Sequence, residues 1–218
     1  SPPRFPDAPM PEQTGRPVTL APNSMVTSPH SLASAAGIDV LRAGGSAVDA
    51  ALATSAALTT LYPHMTSLGG DAFWLIHDAK TGEVKYLNGG GRAVAAATLE
   101  ETQTRKLEAI PFRGIGPATI TIPGALASWV EAHNAYGKLP MSRIVESAAG
   151  NARHGIPVTE RLAGHIDQNR NLLSQVAETA AILLPDGETP KTGEKITNPN
   201  LSRTRPKRTH RFNSAPPA

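Results

Sequence analysis

Small and apolar residues recur every three to four positions at Leu32, Ala35, Ala36, Ile38, Val40 and Leu41, a spacing that predicts a helix capped by Ser28 or Ser31 and running to about Ala43. Gly44-Gly45 then supplies a left-handed stop. Ser46-Ala47-Val48-Asp49 fits a capping box, so a second helix starts at Ser46, continues to about Leu61 and breaks at Pro63. Ala, Gly and Ser dominate this pair. Short side chains let two helices, or a helix and a sheet, approach more closely than leucine-rich surfaces permit, and Leu68-Gly69-Gly70-Asp71 reads as the hinge leading out of that layer.

Beyond the hinge the period changes from helical to strand-like. Ala72-Phe73-Trp74-Leu75-Ile76-His77 predicts a buried strand, Asp78 to Gly82 a hairpin turn, and Glu83 to Asn88 the returning strand. Asn88-Gly89-Gly90-Gly91-Arg92 follows as a glycine loop ending in one arginine, then an alanine-rich turn at 93–98. PATITIPG at 117–124 reads as a short strand. Ala125 to Tyr136 predicts a helix with Leu126, Trp129, Val130 and His133 on one face, closed by Gly137. A further helix is expected over 141–153, one or two more over 158–183, and loop over 186–200. Ser24 to Thr27 forms a short β-prone lead. The proline-rich residues 1–23 read as an extended lead-in, and residues 203–218 as a basic, disordered tail.

Composition narrows the function classes. Aromatic residues make up only 4% of the 218, so the core must be packed mainly from Ala, Val, Ile and Leu. The chain has no cysteine, which excludes disulfides, thiolate zinc sites and a cysteine nucleophile, and leaves periplasm and cytosol both open. No run approaches the ~18 apolar residues needed to span a bilayer, and no secretory signal is visible, so no membrane partner is expected. The net charge of +3 comes from the tail: five of the 21 basic residues lie in 203–218, leaving 16 against 18 acidic residues in the body. With no stacking aromatics beside that tail except Phe212, no nucleic-acid partner is expected either.

Seven histidines show neither HExxH spacing nor a dense cluster with carboxylates, so no metal and no cofactor are expected. The glycine loops match neither phosphate-binding pattern, and no GxSxG elbow is present. Arg92 differs in kind. A guanidinium at the rim of a triple-glycine loop, just after a strand, can hold a carboxylate through two parallel hydrogen bonds; the plainer alternative is a surface arginine bonded to a nearby carbonyl.

Seven blocks then resemble, in order, one family. They are Val26 to Leu41 with AGGSAVDAA at 43–51, LYPHMTSLGGDAFWLI at 61–76, DAKTGEV at 78–84, GRAVAAAT at 91–98, ITIPGALASWVEAHNAYGKLP at 120–140, ARHGIPVT at 152–159 and NPNLSRT at 198–204. Together they resemble the γ-glutamyltranspeptidases of the N-terminal-nucleophile hydrolase superfamily, with residues 24–202 matching the N-terminal part of the large subunit.

The resemblance implies an α+β fold, part of a four-layer αββα sandwich left incomplete in this chain. It also implies a precursor that cuts itself once and exposes a threonine, whose hydroxyl attacks a γ-glutamyl amide while its amine assists proton transfer. That threonine and the oxyanion donors match no position here, so no catalytic residue is assigned. Thr209-His210 lacks the surrounding context to serve as the nucleophile. Three readings follow: an N-terminal fragment of a γ-glutamyl transferase or hydrolase, inactive alone; a non-catalytic partner of a separately encoded catalytic chain; or a related acylase of different specificity. The first two imply a small-subunit-like catalytic partner, and a small-molecule γ-glutamyl substrate in the complete enzyme. Arg92 is the one substrate-binding candidate. It stands about two positions away from the arginine of the family's Arg-Glu-x-Ala-Pro pattern, which favours the γ-glutamyltranspeptidase-like and acylase branches.

Overall fold

The computed structural model describes residues 18–106 and 119–203. Its helices are α1 (Ser31–Arg42), α2 (Ala47–Leu61), α3 (Leu99–Thr104), α4 (Ala125–Tyr136), α5 (Met141–Ile144), α6 (Glu146–His154), α7 (Glu160–Gln168), α8 (Arg170–Leu173), α9 (Ala177–Leu183) and α10 (Pro199–Ser202). Its strands are β1 (Ala72–His77), β2 (Val84–Gly89), β3 (Ile156–Pro157) and β4 (Lys195–Ile196). β1 pairs antiparallel with β2, and β3 with β4.

The centre of the molecule is α2. Eleven of its 15 residues are buried, from Val48 to Leu61, so it is apolar on nearly every side as an internal helix must be. Its N-terminus carries the expected capping box: Ser46 Oγ accepts from the Asp49 amide at 3.1 Å, and Asp49 Oδ2 accepts from the Ser46 amide at 2.9 Å. α1 lies tightly against it. At Gly37 an added Cβ would collide with Thr54 Oγ1 on α2, so the missing side chain is what permits this approach.

Two apolar clusters meet along α2. One gathers Ala33, Ala57, Leu58 and Leu61 with Val158, Leu162 and Ile166. The other joins Val40, Leu52, Ala53 and Ala56 to Trp129, Ala132, Ile144 and Ala148. Helix α4 contacts both α2 and the β1–β2 hairpin. Trp74 of β1 packs on the second cluster and donates its indole N–H to Ser128 Oγ at 3.0 Å.

The hairpin has one covered and one open face. Ala72, Trp74, Ile76 and Leu87 pack toward α4, whereas Phe73, Leu75, Val84 and Tyr86 are 63%, 77%, 60% and 64% exposed. The register pairs Leu75 with Tyr86 and His77 with Val84, so these residues share one face, as strand alternation requires. The expected buried strand is therefore buried on one side only.

Other expectations are adjusted. Residues 24–27 form no strand. The cap of α1 is His30, whose Nδ1 accepts from the Leu32 amide at 3.2 Å, with Ser31 already inside the helix. On α4 the inner face is Ala125, Ser128, Trp129 and Ala132, while Leu126 is 44% exposed. The helix over 141–153 breaks at Val145 into α5 and α6, which lets Ile144 and Ala148 both reach the core. Three short helices occupy 158–183, α3 follows the alanine-rich turn, and the stretch from 186 holds β4 and α10. The strand expected at 117–124 reduces, among its described residues, to a single antiparallel bridge between Ala93 and Thr121. Residues 1–17 of the lead-in and 204–218 of the tail, including Thr209-His210, lie outside the described residues.

Candidate functional site

Three segments far apart in sequence converge at the open end of the hairpin: the hinge 68–71, the glycine loop 88–92, and residues 121–125 leading into α4. Asp71 Oδ1 accepts from the Gly91 amide at 2.8 Å and from Thr121 Oγ1 at 3.2 Å. The carbonyl of Gly70 accepts from the amides of Gly124 and Ala125 at 3.2 and 2.9 Å. The Ile122 amide donates to the Arg92 carbonyl at 2.9 Å. Backbones pass so closely here that a Cβ at Gly91 would overlap the Ile122 carbonyl, and one at Gly124 would overlap that of Gly89. Glycine is required by this packing of backbone on backbone.

Arg92 leaves this junction with its backbone held and its side chain exposed. Among the described residues no hydrogen bond or ion pair reaches its guanidinium. The plainer alternative, a structural bond from this side chain to a nearby carbonyl, is not realised among those residues. An exposed planar cation on a fixed backbone can receive an anion without first breaking a partner.

Beside the junction lies a cleft of about 400 Å³ bordered by His64, Thr66, Ser67 and Asp71, with Leu58 and Trp129 on its apolar side. His64 stacks on His165 of α7 at 4.4 Å between ring centres, and Tyr62 leans on it at 4.2 Å. Both nitrogens of His64 are buried, and among the described residues neither has a hydrogen-bond partner. Burial, then the proximity of His165 and Arg161, lowers its pKa and so favours the neutral imidazole. Among the described residues no three His, Asp or Glu side chains gather as metal ligands, and no helix is long and apolar enough to cross a membrane.

A second polar centre is structural. Asp49 is fully buried, and its Oδ2 accepts from the amides of Ser46, Lys138 and Leu139 at 2.9, 2.9 and 3.1 Å. Burial alone would raise its pKa; the three amides, with His133 4.0 Å from Oδ1, outweigh that and lower it. This carboxylate ties the start of α2 to the segment joining α4 and α5.

Sequence reasoning named Arg92 but missed Asp71, Thr121 and the His64–His165 stack. Asp71 and Gly91 are 20 residues apart, and Asp71 and Thr121 50 apart, so no local pattern links them. The one available signal was an acidic residue ending a Gly-Gly hinge immediately before a strand.

The family model for gamma-glutamyltranspeptidase matches residues 33–206. The chain is similar to the Glutathione hydrolase-like YwrD proenzyme of Bacillus subtilis (strain 168), 41% identical over 183 residues, covering 84% of this chain and 34% of that protein. It is also similar to the Oxamate amidohydrolase proenzyme of Klebsiella pneumoniae, 36% identical over 190 residues, covering 85% of this chain and 35% of that protein. Among solved structures, Helicobacter pylori gamma-glutamyltranspeptidase superposes with a TM-score of 0.79 at 25% identity, covering 86% of this chain and 54% of that one. The chain spans about a third of the length of the curated relatives it matches.

Proposed function

The chain belongs to the gamma-glutamyltranspeptidase family, and from that premise we propose that it supplies the scaffold and substrate rim of an amide acyl-transfer or hydrolysis enzyme whose attacking threonine is carried by a partner polypeptide. The mixed helix-and-hairpin architecture is part of the N-terminal-nucleophile hydrolase fold of its structural neighbours. In this reading Arg92 receives the carboxylate of a small-molecule γ-glutamyl donor, and the partner brings the nucleophile and the oxyanion donors.

The observation that carries the reading is the pairing of Arg92 with the open hairpin face. The guanidinium is unpaired among the described residues, and the hairpin whose second strand runs into its loop leaves Phe73, Leu75, Val84 and Tyr86 exposed on one face. An apolar strip of this kind on a two-stranded sheet favours cover by further polypeptide. Both curated relatives named above are proenzymes, which supports a second subunit as that cover.

A chromogenic γ-glutamyl anilide tests the assignment. The 218-residue chain alone is expected to release no aniline. Turnover by the chain alone that survives dilution and repurification would overturn the reading. A second reading, an amide hydrolase with a different acyl group, is favoured by the likeness to an oxamate amidohydrolase and by the displaced arginine. Competing γ-glutamyl and oxamate substrates in the partnered enzyme separate the two.

A further inference from the structure

We propose that Asp71 is a positioning residue for Arg92, holding the glycine loop so that the guanidinium is presented at one place. The inference rests on the reading of Arg92 as a carboxylate-binding residue and adds the device that orients it.

Three consecutive glycines, Gly89 to Gly91, precede Arg92, and such a run has no side chains with which to hold itself. Glycine also loses more backbone freedom than any other residue when it is fixed. An arginine at the end of a free glycine run would sample many positions, and each carboxylate it bound would bear the cost of ordering it. Here that ordering is done in advance. Asp71 Oδ1 takes the Gly91 amide at 2.8 Å, one residue before Arg92, and the Arg92 carbonyl takes the Ile122 amide at 2.9 Å. Thr121 closes the arrangement, bonding Asp71 through its hydroxyl at 3.2 Å and bridging Ala93 through its backbone.

Asp71 is itself anchored. It follows Gly70, whose carbonyl takes the first amides of α4, and it precedes β1, whose inner face packs on the same helix. One carboxylate oxygen thus links the hinge, the loop and the approach to α4. The Gly90 amide is taken separately by Asn88 Oδ1 at 2.9 Å, so two side-chain acceptors hold two successive glycine amides. Hydrogen bonds to a charged acceptor are the stronger kind, which suits a carboxylate for the longer-range link.

The test uses phenylglyoxal, an arginine reagent, on the intact 218-residue chain, with modification of Arg92 quantified by peptide mass spectrometry in the presence and absence of L-glutamate. In the wild-type chain glutamate is expected to slow modification. Asp71→Ala is expected to raise the glutamate concentration needed for half-protection about fivefold or more, at temperatures where the fold is intact. Asp71→Asn, which keeps an oxygen acceptor for the Gly91 amide, is expected to restore it to within about twofold. A purely structural role would lower the melting temperature and leave the half-protection concentration unchanged.

Absence of protection in the wild-type chain overturns the Arg92 reading, and this inference falls with it. Equal half-protection in wild type and Asp71→Ala overturns the Asp71 inference alone. Should Asp71→Ala fail to fold, Thr121→Val removes only the hydroxyl from the same link. It is expected to weaken protection about twofold and to speed hydrogen exchange at the Gly91 amide, and no change in either quantity overturns the inference.

Discussion

Around α2, small residues bring helix against helix in the interior; at the junction of Gly91 and Gly124, they bring loop against loop beside an exposed apolar strip. In the first region Gly37 and the buried alanines are used up in packing, and the buried carboxylate of Asp49 is engaged on its Oδ2 by three amides. In the second the tight backbone contacts carry outward-facing groups: the Arg92 guanidinium, with no bonded partner among the described residues, and four large side chains open to solvent. Similar residue types therefore build the support in one place and the presentation of a surface in the other. Loss of a contact should spread through the whole molecule in the first region and stay local in the second.

The strongest challenge to that contrast is Asp49→Ala. Removing the fully buried carboxylate leaves three part-buried amides without their acceptor, for an expected loss of about 3 kcal/mol or more, measured by urea unfolding followed by circular dichroism. Leu52→Ala, at a fully buried position of α2, is expected to cost about 3 kcal/mol by leaving a cavity. Gly91→Ala forces the loop off the Ile122 carbonyl and is expected to cost about 1–2 kcal/mol, with altered amide signals confined to residues near 71, 91 and 122. A global loss as large as that of Leu52→Ala would erase the distinction between the regions.

Acid sharpens the comparison further. The pKa of His64 is lowered in the folded chain by burial, His165 and Arg161, so the unfolded chain binds the proton first as pH falls. Stability contributed by the neutral ring is full above about 6.5, the ordinary value, and is lost progressively below it. His64→Phe should flatten this part of the profile. Asp49 has its own window lower down: its depressed pKa gives stability that is present above about 3.8 and lost as pH falls through the folded value. The smallest expected effect is that of Leu75→Ser on the open face, within about 0.5 kcal/mol on the isolated chain. The same substitution should weaken capture of a catalytic partner, measured by co-purification.

What the sequence made legible follows the same division. α1, α2, the β1–β2 hairpin and α4 were all readable because their signals are local: the Ser46–Asp49 box, the apolar run at 72–76 before a turn, the stop at Gly137. The break at Val145 and the pairing of Ile156 with Ile196 depend on partners 40 or more residues away or on fitting two helices to one core, and no window of sequence contains them. At the site, Arg92 was legible as an arginine ending a glycine loop. The grip of Asp71 on Gly91 and Thr121, and the stacking of His64 on His165, belong to the tertiary arrangement alone.

The bond from Trp74 to Ser128 has a practical consequence. The chain has two tryptophans, and the other, Trp129, is the next residue along α4. Trp74 thus sits in the seam between hairpin and helix, behind the exposed hairpin face, and Trp129 is buried in the apolar cluster on which Trp74 packs. Intrinsic fluorescence of the unlabelled protein becomes a gauge of that seam, and its emission should shift when a second polypeptide settles onto the other side of the sheet.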